Sequence, residues 1–147
     1  MTLKEQLNDA MKAAMKARDD LRLSAVRMVR AAVKNREIDK QIELDDQAVI
    51  DVISTMAKQR RESIRMYTEG NRLDLANKET AELEVLLGFL PTQLSPGDID
   101  VLVAQVIDEL QAQGIKDMGR VMKALTPLTV GKADGKAVSD CVRKRLS

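Results

Sequence analysis

The stretch Leu90-Pro91-Thr92-Gln93-Leu94-Ser95-Pro96-Gly97 holds two of the chain's three prolines and decides how the remainder is read. Pro91 disfavours helical geometry at Leu90, and the run after it is short and polar, so a helix must stop there. Ser95, Pro96 and Asp98 then have the N-cap, N1 and N3 spacing of a new helix. One helical block ends near residue 90 and another opens at 98, with 91–97 as a hinge. Upstream, no glycine precedes Gly70 and no proline precedes Pro91. No alternating run of β-branched and aromatic residues marks a strand. The expectation is an all-α chain: a four-helix N-terminal domain over 1–90 and a small three-helix C-terminal domain over 98–147.

Working back from the break, apolar spacing resolves the first block into helices. Thr2 and Glu5 have capping-box spacing, and Leu3, Leu7, Met11 and Ala14 follow at helical period. Asp19 or Asp20 starts the next helix, on which Leu21, Ala25, Met28, Val29, Ala32 and Val33 form the expected buried arc. A polar connection over 39–45 leads to a third helix that Asp45 or Asp46 opens and Gly70 ends near Glu69. Its apolar face of Val49, Val52, Ile53, Met56, Ile64 and Tyr67 also contains Arg60. Asn71 is expected to cap a fourth helix with Leu75, Leu83, Leu86 and Leu90 on its buried side. Glu79 lies within that stripe. A guanidinium buried alone would cost several kcal/mol, so Arg60 is expected to meet Glu79 first and Glu82 second. Past the break, Ile99, Leu102, Val103, Val106, Ile107 and Leu110 form one helix. Asp117 caps a short second one, expected to close at Thr126-Pro127, and Asp134 caps a third.

Composition excludes several chemistries. The 147 residues include no His, one Cys and no Trp, with Tyr67 and Phe89 the only aromatics. The usual general base and commonest metal ligand are therefore missing, and one cysteine closes no internal disulfide. No cofactor is expected. Charges from Lys4 onward and the lack of a long apolar run argue against a signal peptide or membrane anchor, so the expectation is a reduced, cytoplasmic protein.

The formal net charge of +1 conceals a segregated pattern. Residues 1–36 carry 9 basic against 4 acidic groups, 73–114 carry 1 against 8, and 115–147 carry 8 against 3. On the second helix Arg27, Arg30 and Lys34 fall together at i, i+3, i+7 and form a basic ridge. Arg120, Lys123, Lys132, Lys136, Arg143 and Lys144 make a second basic group near the C-terminus. Helices of opposite charge solvating and pairing with one another are the plain alternative. If a polyanion binds, two aromatics offer little for base stacking, and contact would run through phosphates and shape.

Other motifs are weaker. Gly131-Lys132-Ala133-Asp134-Gly135-Lys136 is a glycine-rich turn entering a helix, but lacks the spacing and Gly-Lys-Ser/Thr ending of a nucleotide-binding P-loop. One backbone phosphate beside Lys132 and Lys136, or a plain turn, remain its two readings. Cys141 reads as a structural thiol, with no base to activate it.

The runs Lys58-Gln59-Arg60-Arg61-Glu62-Ser63, Gly70-Asn71-Arg72-Leu73-Asp74-Leu75-Ala76 and Phe89-Leu90-Pro91-Thr92-Gln93-Leu94-Ser95 are joined by Tyr67, Glu79 and Glu82. Together with Met118-Gly119-Arg120-Val121-Met122-Lys123-Ala124-Leu125 and Ala133-Asp134-Gly135-Lys136-Ala137-Val138, they resemble the YqeY proteins of the GatB/YqeY group. The resemblance implies an all-α two-domain fold and kinship with the tail of the amidotransferase B subunit, a module that engages the tRNA elbow. tRNA is thus the implied partner, with an amidotransferase or another translation-related protein beside it. The group's label of carbon–nitrogen ligase with glutamine as amide donor belongs to the larger enzyme. Phosphate activation and glutamine hydrolysis need groups not apparent in this chain. A helical protein-interaction module is the competing function, and an amidotransferase activity of its own a third.

Overall fold

The computed structural model describes all residues from Met1 to Ser147 and contains helices and no strand. The chain divides into two compact units, Met1–Pro91 and Thr92–Ser147.

In the first unit the helices are α1 (Leu3–Ala17), α2 (Asp20–Lys40), α3 (Asp46–Glu69) and α4 (Leu73–Leu87). Local hydrogen bonds start three of them. Thr2 Oγ1 accepts from the Glu5 N–H while Glu5 accepts from the Thr2 N–H, and Asp19 and Asp45 accept from the N–H groups of Arg22 and Ala48. Without glycine in this stretch, Arg18 and Gln41 take the left-handed conformation that ends α1 and α2, at φ of 55° and 56°. Leu7, Val26, Val29, Val49, Ile53 and Leu86 are almost fully enclosed in the core.

Three local expectations are corrected. On α2 the buried face is Ala25, Val26, Val29 and Val33, whereas Leu21 and Met28 are 36% and 45% exposed. The helix is turned toward Val26 because it packs against α1, α3 and α4 together and not against one neighbour. Gly70 ends α3 with an ordinary φ of −82°, and Asn71 supplies the left-handed residue at 57°. Asn71 therefore does not cap α4; Arg72 holds that position without a side-chain cap bond. The buried side of α4 is Ala76, Glu82 and Leu86, with Leu75 and Leu83 half-buried, and Leu90, also half-buried, lies beyond the end of the helix.

The second unit contains α5 (Pro96–Leu110), a 3₁₀ turn (Ile115–Asp117), α6 (Met118–Thr129) and α7 (Gly135–Leu146). Ser95 and Asp98 form a reciprocal capping box at the start of α5. Val103, Val121, Leu125, Val138 and Val142 fill the core. The Leu94 N–H donates to the Lys132 carbonyl at 2.8 Å and the Gln93 side-chain amide to the Gly131 carbonyl at 2.7 Å, so the chain from Gln93 onward is tied into this unit. Gly131 is buried with φ of 76°, a conformation that suits glycine in this close approach. α6 does not close at Thr126-Pro127. It continues to Thr129 with Pro127 inside, because only the final turn follows and the Val130 N–H still reaches the Thr126 carbonyl. Asp117 does not cap α6 through its side chain; its carboxylate accepts from the Gln113 N–H and lies 3.6 Å from Arg120.

Candidate nucleic-acid interface

Lys4 and Glu37 are paired, as are Met11 and Arg30, so α1 and α2 run antiparallel with a groove between their outer flanks. Its volume is about 490 Å³, and its lining includes Lys4, Leu7 and Asn8 from α1 and Arg27, Arg30 and Lys34 from α2. Arg27, Arg30 and Lys34 are exposed, and none is held by a carboxylate; Arg30 Nη1 touches only the Met11 thioether, a weak acceptor. Glu37 is the one acid in the groove wall. It is neutralised in place, since it accepts from Lys4 and from the Leu44 N–H, and these bonds hold its carboxyl below the usual range. Lys4 is raised in turn, first by its bond to Glu37. The wall therefore presents three unpaired cations around one internal ion pair. Nothing in the sequence marks Lys4 and Asn8 as groove residues. Their i, i+4 spacing on the α1 flank means nothing until α2 lies beside it.

The C-terminal basic group is more broken. Arg120 lies 3.6 Å from Asp117, and Arg143 lies 3.4 Å from Asp140. Lys123, Lys132 and Lys136 are exposed without an ion pair, while Lys144 acts on Asp100, whose carboxyl is lowered mainly by its bond to Arg145. Asp140 falls between Lys136 and Arg143 on the outer face of α7 and interrupts any continuous positive strip there.

Arg60 Nη1 lies 2.9 Å from Glu79 and 2.9 Å from Glu82, with side chains 16%, 17% and 11% exposed. Its Nη2 contacts the Met28 sulfur at 3.2 Å, the contact made possible by the exposed setting of Met28. This cluster joins α3, α4 and α2 and is structural. Cys141 is half-buried 3.6 Å from Asp100. Burial, then Asp100, pushes its thiol up, opposite to the shift that an activated nucleophile needs. No group of His, Cys, Asp and Glu is arranged to hold a metal ion, and no helix is long and apolar enough to cross a membrane.

A family profile described as Yqey-like protein matches residues 4–146. The chain belongs to the YqeY family. Curated relatives of this YqeY chain carry the name "Altered inheritance of mitochondria protein 41, mitochondrial". They include proteins of Lachancea thermotolerans, 38% identical over 109 residues (71% of this chain, 58% of the relative), and of Kluyveromyces lactis, 35% identical over 109 residues (71% and 58%). A Saccharomyces cerevisiae relative is 32% identical over 111 residues (73% and 60%). The chain thus spans somewhat over half the length of these relatives. Neither the family description nor the relatives' name carries an enzymatic activity. The cytoplasmic placement expected from the sequence is corrected by these names: the relatives are mitochondrial proteins.

Proposed function

We propose that this YqeY protein is a tRNA-binding accessory factor, acting in aminoacyl-tRNA handling or beside a transamidation complex, that grips RNA through phosphate contacts. The observation that carries the reading is the α1–α2 groove, where Arg27, Arg30 and Lys34 stand on one open flank with no carboxylate to neutralise them. Cations held this way attract a polyanion, whereas paired ones largely do not. The kinship with the amidotransferase B-subunit tail that the family resemblance implies supports tRNA as the particular RNA. Lys123, Lys132 and Lys136 provide further phosphate contacts on the second unit.

A gel-shift series with tRNA across salt concentrations tests the proposal. Affinity should fall steeply as released counterions are opposed by added salt. Absence of binding at low salt would sink it. Exposed Ile38 and Ile42, 62% and 54% accessible near the end of α2, favour a second reading in which the unit docks a protein. Pull-down from nuclease-treated lysate separates the two, because a protein partner survives removal of RNA.

A further inference from the structure

We propose that Asn8 is the residue by which the α1–α2 groove distinguishes RNA from DNA, through the ribose 2′-hydroxyl of one strand of an A-form duplex. The inference rests on the phosphate-binding reading of the groove and adds to it a ligand geometry and a specificity residue.

The ligand geometry follows from what the groove contains. Arg27, Arg30 and Lys34 advance along α2 over about 10 Å, a straight row suited to successive phosphates of a regular backbone. No aromatic side chain stands beside that row as a stacking platform for a base. Neither aromatic residue lines the groove: Phe89 is buried in the core beneath the Arg22 guanidinium, and Tyr67 is half-buried on α3. Single-stranded recognition draws on stacking at each base, so its lack leaves a rigid array of phosphates as the fitting partner. In A-form RNA the 2′-hydroxyls lie beside those phosphates along the shallow minor groove.

Among the groove residues Asn8 alone is polar and uncharged. It stands one helical turn from Lys4, half-buried, and its amide has no partner within the protein. Arginine and lysine can only donate and meet phosphate in RNA and DNA alike. A carboxamide both donates and accepts, which matches a hydroxyl that does the same. Deoxyribose offers that amide no partner.

Fluorescence anisotropy with the full-length protein at low salt tests this with three probes: an RNA hairpin, a DNA hairpin of the same sequence, and an unstructured oligouridine of equal length. Tightest binding is expected for the RNA hairpin. Asn8→Ala should weaken the RNA hairpin about fivefold, the worth of one hydrogen bond, and bring it to the DNA value while leaving DNA binding unchanged. Asn8→Gln, which keeps the amide, should restore part of the loss. Alanine is a better helix former than asparagine, so unchanged circular dichroism is expected for Asn8→Ala. Equal affinity of the wild type for RNA and DNA hairpins overturns the inference, as does an Asn8→Ala loss shared by both or oligouridine binding as tightly as the RNA hairpin. No binding to any probe instead defeats the phosphate-binding reading beneath it.

Discussion

Arg60 shows how one misplaced charge organises a fold. Its guanidinium lies 2.9 Å from both Glu79 and Glu82, so the cluster carries one more negative than positive charge within a mostly enclosed site. Arg60→Ala should destabilise the protein by about 3 kcal/mol, because two carboxylates are left facing each other without a cation. Glu82→Gln should cost much less, since it removes the surplus charge and keeps an acceptor. Urea unfolding of both variants checks the order, and equal losses would contradict the surplus-charge argument. At the other end of the unit, Glu37 is held below the usual carboxylate range by Lys4 and by the Leu44 N–H. Its stabilisation is present above the ordinary glutamate range and is lost as pH falls through its depressed value. Lys4 behaves in the mirror sense, losing its contribution as pH rises through its raised value. Glu37→Gln should therefore flatten the acid limb of a stability-against-pH curve, measured by thermal melts in successive buffers. The need for a partner at Arg60 is readable because an arginine interrupts an apolar face. The Lys4–Glu37 pair is not, because two charged residues 33 positions apart on exposed flanks carry no mark of each other.

Among elements, helix starts and helix stops differ in how openly they are written. Thr2, Asp19, Asp45 and Ser95 each accept from an N–H three residues on, a bond confined within one turn and so visible as spacing alone. Thr2→Ala should cost about 1 kcal/mol by urea denaturation, the loss typical of an N-cap. The stops depend on where the chain must turn next. Gly70 draws attention as the stop of α3, yet Asn71 adopts the left-handed conformation and Gly70 does not. Asn71→Val should lower stability by about 1 kcal/mol or more, while Asn71→Gly should be neutral or stabilising. If both melt alike, the left-handed residue has no energetic role. Tertiary context also sets the rotation of α2. The arc containing Leu21 and Met28 is the more apolar in the sequence, since Arg22, Arg30 and Glu37 share the arc of Val26, and the packing of α2 against three neighbours overrides that pattern. Pro127 is overridden for a related reason: in a final turn it forfeits a single hydrogen bond, too little to end a helix whose Leu125 and Thr129 are buried.

For the whole molecule, charge placement matters more than charge total. Residues 1–91 carry 16 basic and 16 acidic side chains, and residues 92–147 carry 8 and 7, so neither unit draws a polyanion by its net charge. Attraction must come from cations left unpaired on one surface, and the α1–α2 flank supplies three of these in a row. Three phosphates neutralised there would give a slope of about −3 for log affinity against log salt on a duplex. Lys34→Ala should make that slope shallower by about one and weaken all RNA sequences alike, since a phosphate contact carries no base information. Lys58, exposed on α3 and outside the groove, provides the control substitution, for which no change in slope is expected. If the slope instead survives Lys34→Ala and collapses when Lys123, Lys132 and Lys136 are replaced together, the phosphate grip belongs to the second unit. In that outcome the unpaired cations of α6 and α7 outweigh the interruption by Asp140, and the α1–α2 groove is a solvated charged face.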